Sequence, residues 1–218
     1  TKILDRILFS KSDGNFFDVF EKLNSKISIN FNTIYINYED YLTNFKVDMI
    51  VNDNQIKNLV LSSQFSTKED LKLSIKTNSN NEKITDLFAG NAKPLVKKYD
   101  FIKGFDGGYL KFDSIEKNKV SNSNLKIFDF KLKEVPALTK LLTLASLQGI
   151  ADLLTGEGIR FNEFEMIFNN KDGLMTIEEI YSLGPSISIL MDGYIQKDDL
   201  VSLSCLLYTS PSPRDWLQ

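Results

Sequence analysis

Three kinds of stretch in this chain hold residues whose types and spacing could do chemistry. Asn170-Lys171-Asp172-Gly173-Leu174-Met175-Thr176-Ile177-Glu178-Glu179 contains the Asp, Gly and Glu of a calcium-binding loop. With Gly173 at loop position six, Glu179 falls at position twelve, where such a loop places its bidentate carboxylate. Phe168 then occupies position one, where a carboxylate must ligate, and the flanks alternate as strands do. The stretch therefore reads as an Asp-Gly hairpin turn. Asp192-Gly193-Tyr194-Ile195 fails in the same way, with Ser188 at position one. Gly156-Glu157-Gly158 and Asp106-Gly107-Gly108 are the densest glycine clusters, but neither extends to a phosphate-binding fingerprint, and both are expected to be turns ahead of strands. Glu163 and Glu165 sit two apart, and paired acids can hydrolyse glycosides. They alternate with Phe164, Met166 and Phe168, so a solvated strand face is expected instead.

Composition narrows the chemistry further. The 218 residues include no His and one Cys, which excludes Ser-His-Asp and Cys-His nucleophiles and the usual zinc sites. No metal or cofactor is expected. Lys and Arg number 26 against 29 Asp and Glu, a net charge of -3, which gives no electrostatic footprint for nucleic acid. The longest run without a charged residue, 200–213, is shorter than the about 20 apolar residues a spanning helix needs.

The ends carry their own signals. The chain begins Thr1-Lys2-Ile3 with no signal peptide before its first apolar run, as expected of a piece of a longer protein. Residues 205–218 hold the single Cys, the single Trp and two of the five Pro, and no Lys, Asn or Ile. Cys205-Leu206-Leu207-Tyr208-Thr209-Ser210-Pro211-Ser212-Pro213-Arg214-Asp215 resembles a translated sequencing adapter. The segment is therefore expected to be an artefactual tail, with the natural chain readable to Ser204.

The elements that must position the remaining residues are mostly strands. Ile27, Ile29 and Phe31 share one phase of a period-two alternation; Ile34, Ile36 and Tyr38 continue it one residue out of step, so a bulge is expected at Asn32-Thr33. Strands follow around Phe45 to Val51, Leu59 to Phe65 and Leu71 to Ile75. A short helix is expected from Asn91, with an early Pro and later cations. Strands are expected at 109–115 and 125–135, the second with Phe128, Phe130 and Leu132 on one face. Pro136 opens a longer helical pattern. Leu138, Leu141 and Leu142 form one stripe and Leu147, Ile150 and Leu154 another on nearly the opposite side, which predicts two short helices with a break at 146–149. Strands are then expected at 159–168, 174–183, 187–195 and 200–204. Strands follow strands, so the fold class is mainly β: a long antiparallel meander with two short helical inserts.

From Leu87 onward the sequence resembles the C-terminal region of the AsmA-like superfamily, specifically its YhdP-type members. The carrying residues are Phe88-Ala89-Gly90-Asn91-Ala92, Gly107-Gly108-Tyr109-Leu110, and Asp129-Phe130 leading into Val135-Pro136-Ala137-Leu138. Leu141-Leu142-Thr143-Leu144-Ala145-Ser146-Leu147-Gln148-Gly149-Ile150 and Gly156-Glu157-Gly158-Ile159-Arg160-Phe161 follow. Asp172-Gly173, Gly184-Pro185-Ser186 and Asp192-Gly193 close the match. It divides the chain into a β-repeat segment at 1–86, an AsmA-like C-terminal domain at 87–204 and the tail. The resemblance implies a sheet curled into an apolar groove, in the periplasmic part of a bacterial envelope protein anchored in the inner membrane. It further implies a non-enzymatic carrier of phospholipid between inner and outer membranes.

On that expectation the partners are phospholipid acyl chains, and bacterial membranes through parts of the protein beyond this chain. Phe128, Phe130, Leu132, Phe161, Phe164, Met166, Phe168, Ile187 and Ile189 would line the groove. Leu138, Leu141, Leu142, Leu147, Ile150 and Leu154 would cover it or touch a membrane. The alternative is a structural or assembly module of the envelope that contacts another envelope protein and moves no lipid.

Overall fold

A computed structural model describes residues 23–99, 104–133, 158–185, 187–196 and 201–209. Both helices expected at 136–154 lie outside the described residues, as does the turn at 197–199. The described part is mainly β and antiparallel, with strands paired in chain order, as the alternation predicts. The chain divides into two compact units, Thr1–Ala89 and Gly90–Gln218.

In the first unit β1 (Ser25–Tyr35), β2 (Tyr41–Asn52), β3 (Gln55–Phe65), β4 (Asp70–Thr77) and β5 (Lys83–Ala89) form a meander. Alternate residues meet across strands as rows on one face. Ile29, Val47, Leu61, Leu73 and Leu87 make one row, and Ile27, Met49, Leu59, Ile75 and Thr85 the next. The members of both rows on β2, β3 and β4 are buried. Asp53 and Asn54, both left-handed with φ of 48° and 59°, close the β2–β3 hairpin as a two-residue turn. β5 was not legible from alternation, because Lys83-Ile84-Thr85-Asp86-Leu87-Phe88-Ala89 places apolar residues in both phases.

The phase slip of β1 is handled differently from the expected bulge at Asn32-Thr33. The β1–β2 register runs unbroken past that point, and the shift falls between β2 and β3, from Thr43 to Lys46. Asn44, at φ 52°, sits within that interval. A left-handed residue inside a strand adds a half-turn, so Leu42 and Phe45 are both buried although three residues apart.

In the second unit α1 (Lys93–Tyr99) precedes the strands. The Asn91 side chain accepts the Lys93 N–H at 3.2 Å, and Ala92 donates its N–H to the Gly108 carbonyl at 2.8 Å, which seats the helix on the next strand. Ala92 and Val96 are buried there. A second meander then runs through β6 (Phe105–Lys117), β7 (Val120–Leu132), β8 (Ile159–Lys171), β9 (Leu174–Leu183), β10 (Ile187–Gln196) and β11 (Val201–Thr209). The expected Asp-Gly turn is present: Asp172 and Gly173 are left-handed and Lys171 pairs with Leu174. Cys205 to Thr209 continue β11, paired with Met191 to Ile187. Asp106-Gly107-Gly108, expected as a turn, lies within β6. Lys133 Nζ and Lys93 Nζ each approach Asp106 at 2.7 Å, so this one carboxylate ties the end of β7 and α1 to the start of β6.

Candidate functional site

The candidate site is the apolar face of the second unit, and its geometry follows from one break in alternation. Asp129 has φ 54° within β7, and its neighbours Gly107 and Gly108 on β6 have φ of 76° and 75°. A Cβ placed on Gly108 would meet Phe130 Cβ at 2.9 Å and Ile127 Cγ2 at 3.6 Å. Ile127 and Phe130 therefore project to the same side, although strict alternation would oppose them. Only Gly fits position 108, where a side chain would also strike the Phe128 carbonyl oxygen at 2.8 Å.

On one side of this break the face is filled. Phe130 stacks between Phe105 at 5.1 Å and Phe161 at 5.3 Å, with interplanar angles of 18° and 16°. Leu132 pairs with Phe105 and with Ile159 in the adjoining row. Phe130 and Phe161 are only 2% and 1% exposed, and Leu132 and Ile159 are also buried.

On the other side the face is filled less completely, although Leu110, Ile127, Ile177, Ile180 and Ile189 are still buried there. Three rows follow from the register: Leu110, Ile127, Phe164, Ser182 and Ile189; then Phe112, Leu125, Met166, Ile180 and Met191; then Ser114, Ser123, Phe168, Ile177 and Gly193. No charged residue occupies any of these positions. Phe112, Leu125, Phe164, Met166, Phe168 and Met191 are half-buried. Ser114 and Ser123 hydrogen-bond to each other at 2.8 Å, and Ser182 donates to the Glu163 carbonyl at 3.2 Å. Phe112 and Phe168, on strands two apart, bring their ring centroids to 6.5 Å. β9 keeps Ile177 and Ile180 on the same face by carrying one extra residue at Glu178-Glu179 relative to both β8 and β10.

The opposite face is mixed, with charged and amide side chains beside exposed Ile115 and Leu183. Lys126 Nζ lies 3.0 Å from Glu165 Oε1, and Asn124 donates to the same oxygen at 2.7 Å. The Asn124 hydrogen bond first, then that of Lys126, holds the Glu165 carboxyl below the ordinary range. Glu165 is thus kept ionised, whereas a glycosidase acid must have its pKa raised. Among the described residues no group of three or more His, Cys, Asp or Glu is arranged to hold a metal ion.

The structure treats the expected groove residues unequally. Phe164, Met166 and Phe168 share the less filled part of the apolar face, and Ile189 is buried beside them in the Phe164 row. Phe130, Leu132 and Phe161 belong to the filled end, and Ile187 is buried on β10. Phe128 is separated from Phe130 and Leu132: it stacks on Tyr109 at 4.8 Å, with Lys111 Nζ 5.9 Å from its ring centroid, on the opposite face. The turn at Asp129 is the reason. Leu138, Leu141, Leu142, Leu147, Ile150 and Leu154 lie outside the described residues. Phe112, Leu125 and Met191 were missed, and the cross-strand rows, not any single strand, identify them. No helix among the described residues is long and apolar enough to cross a membrane. No family model, curated protein or solved structure matches the chain.

Proposed function

We propose that this chain is a lipid-binding and transfer segment of a bacterial envelope protein, holding phospholipid by its acyl chains between inner and outer membranes. The observation that carries this reading is the uncharged three-row face in which Phe112, Leu125, Phe164, Met166, Phe168 and Met191 remain half-buried. The AsmA-like resemblance of residues 87–204 supplies the envelope setting. Burying hydrocarbon against such a face is favourable by about 0.8 kcal/mol per CH₂ and needs no directional partner, so weak head-group discrimination follows. No enzymatic step and no cofactor enters this reading.

Native mass spectrometry and solvent extraction of the purified chain test it. Phospholipid or fatty acid recovered in near-stoichiometric amount, and lost when Leu125 and Met166 are both changed to Asp, is the expected result. A lipid-free protein that takes up no phospholipid from vesicles would overturn it and favour a module acting through protein contacts.

A further inference from the structure

We draw no further inference here: the strongest candidate, the apolar sheet face of the second unit around the half-buried Phe164, Met166 and Phe168, belongs to the site already described, and nothing in the structure shows what covers it.

Discussion

Asp129 sets Ile127 and Phe130 on the same side of β7, three residues apart where a regular strand would oppose them. One left-handed residue thereby joins a filled aromatic end to a partly buried apolar stretch on a single face, and sends Phe128 to the other. Asn44 plays the corresponding part in β2, between Leu42 and Phe45. Asn and Asp tolerate this conformation better than other non-glycine residues, which accounts for both choices.

Asp129→Gly should be nearly neutral, while Asp129→Val should cost about 1–2 kcal/mol through backbone strain alone. Urea unfolding of the two variants measures the difference. Equal stability of both would show that the left-handed turn at 129 is not maintained.

Gly108→Ala should be markedly worse than Gly107→Ala. Both positions have positive φ, but a methyl at 107 finds only the Asp129 carbonyl oxygen at 3.6 Å, whereas at 108 it meets backbone and Phe130 below 3.0 Å. The first should cost about 1 kcal/mol and the second about 2–4 kcal/mol. Thermal unfolding ranks them, and a reversed order would contradict the packing at the break.

Much of this architecture can be read from alternation, because one face of each meander is apolar. The hairpin at Asp172-Gly173 and the strand Leu174–Leu183 follow directly from local pattern. What resists reading is non-local or masked by turn chemistry. Asp106-Gly107-Gly108 looks like a loop because glycines usually mark one, and only pairing with Phe130 to Lys131 on β7 shows it to be strand. The candidate site is likewise a property of rows, so Phe112 and Met191 acquire their role from partners on other strands. Period two groups Phe128 with Phe130, because it cannot register a half-turn added at Asp129.

The Asp106 clamp gives a pH dependence. The hydrogen bond from Lys133, then that from Lys93, lowers the Asp106 pKa from 3.8 to about 2. A depressed carboxylate contributes stability above its unfolded pKa and loses it as pH falls through the folded value. Asp106→Asn should therefore be less stable than the parent at pH 6, by at most about 1 kcal/mol because both partner lysines are about half exposed and the pairs are screened by solvent. The gap should close between pH 4 and pH 2. A gap independent of pH over that window would assign the loss to something other than the two ion pairs.

Ser123→Ala leaves the buried Ser114 hydroxyl without its partner and should cost about 1–2 kcal/mol. The Ser114→Ala/Ser123→Ala double variant should cost less than the sum of the two single changes, since neither hydroxyl is then stranded. A double-mutant cycle by chemical unfolding checks this, and strict additivity would mean the 2.8 Å hydrogen bond contributes nothing.

Ending the chain at Ser204 removes the residues paired with Ile187 to Met191 and leaves Gly193 to Ile195 paired with Leu203 to Val201. Hydrogen exchange should accelerate at the first group of β10 amides that face β11 and stay unchanged at the second. Unaltered protection throughout would show that 205–209 do not hold β10 in solution.

Because the described strands within a unit pair with their neighbours in sequence, each ladder but β7–β8, whose strands are joined through residues 133–158, closes over a short stretch of chain. Loop-closure entropy is then met in small instalments, and folding can proceed by adding one strand to an existing edge. Each unit should behave as a nearly one-dimensional array, in which losing a terminal strand removes one interface and leaves the remaining register intact. A chain built this way can be lengthened or shortened by whole hairpins during evolution without redesigning a central core.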